Sequence, residues 1–376
     1  MDTTVPGIHF DSEGVCNFCH THDKMDAEYP IQKEGRKILL NLSQKIKKSS
    51  TKNKYDCIIG ISGGRDSIYT LYYVVTVLKL NPLAIYFNDG FSNPIAGENM
   101  EKACKILNVS FEKIDADWNE SKDIKKAFLR ASTPDMGVST DIGIAAALYS
   151  VAAREGLKFI IIGQSFRTEG IAPLSWYFMD GKYVRSVHKR HGSIPLKPWK
   201  ATEPGFHLDI PQIFYYSILK GIRTIPVLYY VNYIRSEATE TIKKEVGWVN
   251  PGAHYFDDLY QSLIAHVLRV KFNLNRNIFN DSALVRSGQM SREKAIERSK
   301  QTIQKIEKFS AIETCLHKLE ISPEEFEAIL KLPLKNFRDY PNNYFLIRLC
   351  KWPIYIFCKL NVIPPSAYDK YFNCGK

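Results

Sequence analysis

Nothing in this 376-residue chain reads as a membrane span. The longest charge-free apolar stretches, residues 142–153 and 210–219, fall well short of the roughly 20 residues a bilayer-crossing helix needs. Residues 206–234 are aromatic-rich, but Asp209, Lys220 and Arg223 interrupt them, which leaves a buried core segment or a contact surface. The opening residues show neither a basic region nor an apolar one, so no secretory signal is read and a cytoplasmic location is expected. Internal repeats are absent. The eight cysteines are scattered, which excludes a disulfide framework in that compartment. Acidic residues are the scarcer charge, 40 against 51 Lys and Arg, for a net +11. Such an excess attracts nucleic acid, anionic lipid or phosphorylated small molecules, and composition does not choose among them. The run Lys45, Lys47, Lys48, Lys52 and Lys54 is most simply a solvated face.

What is present is a globular balance, 45% hydrophobic and 24% charged, in a chain long enough for two domains. Residues 1–30 read as polar and irregular, and 33–50 as a basic amphipathic helix with Ile38, Leu39, Leu42 and Ile46 on one stripe. Residues 55–61, 83–87, 109–114 and 159–162 read as short buried strands, and 68–79, 97–107 and 141–155 as helices. This alternation predicts an α/β fold, a doubly wound parallel sheet with ligands at the carboxyl ends of its strands. Beyond about residue 205 the strand pattern fades. The expected division is an N-terminal segment 1–30, a nucleotide-type domain 31–205 and a mostly helical domain 206–376, with loop-rich stretches at 247–258 and 273–282.

The chemistry concentrates in Ser62-Gly63-Gly64-Arg65-Asp66-Ser67, which follows the first strand and opens a helix. Two adjacent glycines let backbone N–H groups turn inward as an anion nest, and the helix adds the positive end of its dipole. The Ser62 and Ser67 hydroxyls add donors, and Asp66 is placed to hold a metal that bridges phosphates. The Gly-Lys-Ser/Thr ending of a Walker A loop is missing, and Gly60, Gly63 and Gly64 have the wrong spacing for a dinucleotide fingerprint. The hexapeptide resembles the PP-loop, SGGxDS, of the ATP pyrophosphatases, which adenylate an oxygen and release pyrophosphate.

A narrower resemblance runs in order over about residues 2–300. The stretch from Gly7 to Cys19 (GIHFDSEGVCNFC), residues 86–90, Pro134-Asp135, residues 139–141 and 163–171, and Asn232-Tyr233 all take part. So do Gly247-Trp248, Gly252, His254-Tyr255, Lys271-Phe272, Arg276 and Ser287-Gly-Gln-Met-Ser-Arg292. In these the chain resembles the WbpG-like N-acetyl sugar amidotransferases of bacterial lipopolysaccharide and surface-sugar pathways. The resemblance implies ATP and Mg²⁺, with Ser62, Gly63, Gly64 and Ser67 on phosphate, Asp66 on magnesium, and Asp89 and Gly163 flanking adenosine. It implies Asp66, Asp141 and Glu169 as the catalytic carboxylates, and Asn232, Tyr233, His254, Tyr255, Lys271 and Arg276 as contacts to a nucleotide-linked N-acetyl sugar. No glutaminase nucleophile can be read here, so a separate glutaminase subunit and an ammonia-conducting barrel subunit of the histidine-biosynthesis type are implied as partners.

Two departures matter. The family's earlier Cys-x-x-Cys pair would fall before Met1, so Cys16 and Cys19 offer zinc two of four ligands. An upstream start, His20, His22 or Cys374 would complete the set, or no zinc binds. Around His254 the sequence also differs from the family's usual stretch. A second enzyme reading is tRNA modification by thiolation or adenylation, which suits the net charge. Against it, Cys57 lies inside a strand and Cys104 inside a helix, neither at a site mouth. A non-catalytic, zinc-holding nucleic-acid binder would have no use for the 62–67 loop.

Overall fold

The computed structural model describes residues 1, 3–251, 258–298, 311–363 and 366–373. Its centre is a five-stranded sheet of β1 (Cys57–Gly60), β2 (Pro82–Asn88), β3 (Ser110–Asp115), β4 (Phe159–Ile162) and β5 (Arg223–Pro226). The order is β3-β2-β1-β4-β5, and every pairing is parallel. All five carboxyl ends therefore open on one edge, and the order reverses between β1 and β4, where a crevice forms.

The strands are continuous apolar runs because both faces are covered. Ile58, Leu83, Ile85, Phe87 and Ile160 point into one core, roofed by helices Trp118–Ala131, Val138–Arg154 and Gly181–His191. Cys57, Ile59, Ala84, Phe159, Ile161 and Ile225 point into the other, beneath helices Gln32–Ser49, Arg65–Thr76, Pro94–Ile106 and Arg235–Val246. This is the doubly wound α/β architecture the alternation predicts. Later residues join the first core: Phe337 stacks on Phe178 at 4.1 Å, and Ile321, Phe326 and Tyr340 pack in the same cluster.

Several local expectations are corrected. Residues 1–30 are not wholly irregular, because Asn17–Glu28 is a helix whose Phe18, Thr21, His22 and Met25 are buried; that narrow stripe is hidden in a polar composition. Residues 273–282 are not a loop throughout, since helix Asn277–Arg286 starts inside them. Helix Trp118–Ala131, capped by Asp117, was not foreseen. Strand content also does not end at 205: β5 is four residues long and lies at the sheet edge, where its closing proline removes no needed donor. Residues 206–234 split accordingly. Tyr216, Ile222, Ile225, Leu228 and Tyr233 are buried, whereas Phe214, Ile218 and Leu219 are exposed. Among the described residues no helix is long and apolar enough to cross a membrane.

Two substitutions separate these halves. Ile225→Ala in β5, which is 2% exposed, should lower stability by about 2–4 kcal/mol in denaturant titrations. Leu219→Ala, 66% exposed, should change it by less than about 0.5 kcal/mol.

Candidate active site

The 62–67 turn occupies the crevice between β1 and β4. Gly63 has φ +76°, and a Cβ there would lie 2.1 Å from the Ala96 carbonyl oxygen, so only glycine fits. The Gly63 carbonyl accepts from Trp248 Nε1 (2.9 Å) and Asn99 Nδ2 (3.2 Å). Asn99 is itself held by Val249, donating to its carbonyl (2.7 Å) and accepting from its N–H (2.9 Å). Ser67 Oγ accepts the Ser62 N–H (3.1 Å) and donates to the Gly64 carbonyl (3.0 Å). The loop is closed on itself and anchored from outside, at the start of helix Arg65–Thr76. β4 meets it directly, since a Cβ on Gly163 would come within 3.1 Å of Asp66 and Ser67 backbone atoms.

Charged groups converge on this turn. Asp66 Oδ1 accepts from Arg65 Nε (2.9 Å) and from the Tyr233 hydroxyl, and Arg65 Nε also reaches Tyr233 (3.2 Å). Tyr233 is fixed by Gln289, whose Nε2 donates to its carbonyl (3.0 Å) while Oε1 accepts the Arg235 N–H (3.0 Å). Arg235 Nε is buried with no acceptor among the described residues, and the charges of Arg235, Arg65 and Asp66 are all felt at Glu169. Burial, and then the Asp66 charge, pushes the Glu169 carboxyl up to about 8, while Arg235 and Arg65 pull it down. Two guanidiniums beside a backbone nest make this a candidate anion site, with a carboxyl pushed up to about 8 next to it.

Glu169 is held there by a clamp. It ends the short Phe166–Glu169 helix, where Arg167 donates to Asp26 Oδ1 (2.6 Å), Tyr229 O (2.7 Å) and Tyr29 O (2.9 Å). Gly170, with φ +70°, lets this turn approach the Phe279 carbonyl, and Ser287 Oγ donates to Arg167 O (2.8 Å).

A second cluster stands at the end of β2. Asp89 is buried, and its Oδ2 accepts from Lys125 Nζ (2.7 Å) and Thr140 Oγ1 (2.6 Å). Lys125 is wholly buried. Burial alone would raise the Asp89 carboxyl, but Lys125 and Thr140 offset this and hold it below its usual range. The Asp89 carboxylate therefore fixes the strand end. Burial and the Asp89 charge push Asp258 well above the carboxylate range. Asp141 is open to solvent and accepts from the Tyr177 hydroxyl, with Arg276 and Lys370 near enough to act on it. An open groove of about 900 Å³ at the end of β2 is lined by Asn88, Gly90, Asp115, Trp118, His317 and Lys318.

The remaining candidates divide. Arg276 donates to Gln261 Oε1 (2.6 Å) within reach of Asp141. Asn232 is exposed. Lys271 donates to the Ile329 carbonyl, turned toward the C-terminal helices and away from both clusters. His254 and Tyr255 lie outside the described residues. Arg65, Arg235, Lys125 and Asp258 were not foreseen; Arg65 stands at the motif's unspecified position, and the other three carry no local signal.

Zinc finds no ligand set among the described residues. Cys16 and Cys19 sulfurs are 3.4 Å apart, but Arg286 Nε donates to Cys19 Sγ (3.4 Å). His20 is turned to Asp11 (2.7 Å), His22 packs edge-on against Phe166, and Cys374 lies outside the described residues. Among the described residues no third Cys, His, Asp or Glu joins the pair, and the Arg286 guanidinium stands beside the Cys19 sulfur.

Glu169 gives this site a pH signature. Its folded value of about 8 exceeds the ordinary 4.5, so the folded state holds the extra proton. The stability this brings is complete below about pH 4.5 and is lost as pH rises through 8. Glu169→Gln should therefore melt like the parent at pH 4.5 and increasingly above it toward pH 8.5, read by thermal denaturation across that range. Parallel profiles would remove Glu169 from the anion site.

Residues 253–353 match the C-terminal domain of LPS biosynthesis proteins of the WbpG-like type. The uncharacterized protein MJ1599 of Methanocaldococcus jannaschii is 28% identical over 157 residues, 42% of this chain and 53% of that protein, so the chain spans about half the length of the curated relative it matches. Among solved structures, similarity extends to the NH3-dependent NAD synthetase of Campylobacter jejuni, at 22% identity over 35% of this chain and 58% of that one (TM-score 0.27). It extends also to the NMN synthetase of Francisella tularensis, at 15% over 77% and 96% (TM-score 0.34). The U34-tRNA thiolase NcsA of Methanococcus maripaludis, with its 4Fe–4S cluster, aligns at 14% over 71% and 80% (TM-score 0.32). The match over residues 253–353 and the glycine turn at 62–67 make this chain similar to WbpG-like PP-loop proteins.

Proposed function

We propose that the protein is an ATP-dependent amidotransferase, an AMP-forming C–N ligase that converts the acetamido group of a nucleotide-linked sugar into an acetamidino group for lipopolysaccharide O-antigen synthesis. The observation that carries this reading is the 62–67 nest with Arg65, Arg235 and Glu169 around it, a site suited to a pyrophosphate leaving group beside a proton acceptor. An amide carbonyl is a poor electrophile and its oxygen a poor leaving group. In the proposed reaction the acetamido oxygen attacks the α-phosphorus of ATP, the bond to pyrophosphate breaks, and an imidate ester of AMP forms. Ammonia adds to the imidate carbon, the carbon–oxygen bond to AMP breaks, and nitrogen loses a proton.

The chain's own groups supply electrostatic preorganisation for the first step. Backbone N–H groups of the nest, the Ser62 and Ser67 hydroxyls and the two guanidiniums meet charge as it builds on pyrophosphate. Asp66 would hold Mg²⁺, which neutralises phosphate charge when bound. Glu169, titrating near the operating pH, suits removal of the proton from the ammonia nitrogen. The groove lined by Trp118 and Lys318 is the one we assign to the sugar nucleotide, with Trp118 as a stacking surface for its base, and Asp141 and Arg276 are assigned to the acetamido end. Ammonia is mostly ammonium near neutral pH, which supports delivery by a separate glutaminase through a barrel subunit.

The test combines purified protein, Mg-ATP and high ammonium at alkaline pH with UDP-, CMP- and free N-acetyl sugars. Pyrophosphate release that depends on one sugar class, with a product in which NH replaces O, is expected. Release stimulated by bulk tRNA and by no sugar would replace this reading with tRNA modification. Asp66→Asn should lower the sugar-dependent rate by about 10²-fold or more. Glu169→Gln should flatten the limb of the pH–rate profile near 8.

A further inference from the structure

The C-terminal helices present their large apolar side chains to solvent. Helices Tyr344–Leu349 and Lys351–Lys359 meet at Cys350, whose N–H donates to the Leu346 carbonyl (3.1 Å) and whose carbonyl accepts the Ile354 N–H (3.0 Å). Cys350, with ψ 27°, is thus the shared cap at which one helix ends and the next begins. Phe345, Leu349, Trp352, Ile356 and Leu360 are all exposed along the two helices and the turn that ends the second. Phe345 is 76%, Leu349 67% and Trp352 69% exposed. The opposite side packs inward through Ile347 and Cys358. Single exposed apolar residues are ordinary, but a set of this kind marks an interaction site.

A second apolar set starts beside the first. Ile210, Phe214, Ile218 and Leu219 are exposed along helix Ile210–Phe214 and its continuation Tyr215–Leu219. The residues preceding the two segments are bonded to each other, Asn343 Nδ2 donating to Asp209 Oδ1 (2.6 Å). Charge identifies the occupant. No acidic residue occurs between Asp339 and Asp369. Arg348 and Lys351 stand exposed between Phe345 and Trp352, and exposed Lys220 follows Leu219. Lysine interleaved with exposed aromatic and aliphatic groups is disfavoured in the core of a protein–protein interface, and it is the pattern of a helix lying in a headgroup layer.

We propose that this surface seats the protein on an anionic lipid leaflet, with Phe345, Leu349, Trp352 and Leu219 entering the acyl boundary and Arg348, Lys351 and Lys220 meeting lipid phosphates. The inference stands apart from the amidotransferase reading. The test is sedimentation of the full chain with vesicles of phosphatidylcholine alone or mixed with phosphatidylglycerol. The parent should sediment with the phosphatidylglycerol vesicles, and less so at high salt. The double variant Leu349→Glu/Trp352→Glu should bind about tenfold more weakly or worse, and Arg348→Glu/Lys351→Glu should lose the preference for phosphatidylglycerol. Circular dichroism and melting of both variants should match the parent, because the substituted side chains are exposed. Failure to bind either vesicle, or equal binding by the Leu349→Glu/Trp352→Glu chain, would overturn the proposal. So would a parent that self-associates through this face, made monomeric by those substitutions, and ignores lipid.

Discussion

The arrangement at the strand ends depends on the Gly63 carbonyl being turned away from the crevice. A residue with φ +76° and no room for a Cβ stays in that conformation only while its surroundings hold it there. Here the holding groups are the Trp248 indole N–H and the Asn99 amide, both brought by elements outside the turn. With the carbonyl satisfied on that side, the turn's remaining N–H groups are left for an anion, in a place where β1 and β4 part. A nest of this kind costs no reorganisation when charge arrives, which is the property a leaving-group site needs.

The rest of the site is built by long-range ties to that turn. Tyr233, just beyond β5, reaches Asp66; Gln289, from past the Asn277–Arg286 helix, locks Tyr233 and Arg235 together. Arg167 fastens the N-terminal helix to the loop after β4. The N-terminal Cys-containing segment thereby acts as a brace behind Glu169, and Arg286 links its Cys19 to the Asn277–Arg286 helix. At β2 the Lys125–Asp89 pair is fully desolvated; breaking either half would strand a buried charge, so the pair fixes the strand end against its roof.

What was legible in the sequence follows physical locality. Glycine spacing in 62–67 and the isoleucine-rich strands state their conformations within a few residues, and both are found where expected. β5 left no pattern because an edge strand of four residues has too few positions to alternate or to run apolar. The helix over 17–28 hid because only one narrow stripe of it is buried. Side-chain partners were hardest to foresee, since they depend on the finished topology: Trp248 and Gly63 are 185 residues apart. Tyr233 and Lys271, both candidate contacts to the sugar nucleotide, have partners that spacing does not show: Asp66 for the one and the Ile329 carbonyl for the other. The Cys16–Cys19 spacing suggested metal, but spacing does not report that a guanidinium would stand beside the sulfur.

The central claim is that the acetamido oxygen itself attacks ATP, and an isotope settles it most directly. N-acetyl sugar nucleotide bearing heavy oxygen in the acetamido carbonyl is turned over with Mg-ATP and ammonia, and the AMP is weighed by mass spectrometry. The account predicts that the label leaves the sugar and appears in the AMP phosphate, one label per amidine formed. Unlabelled AMP, with the heavy oxygen retained in the sugar or lost to water, would contradict it.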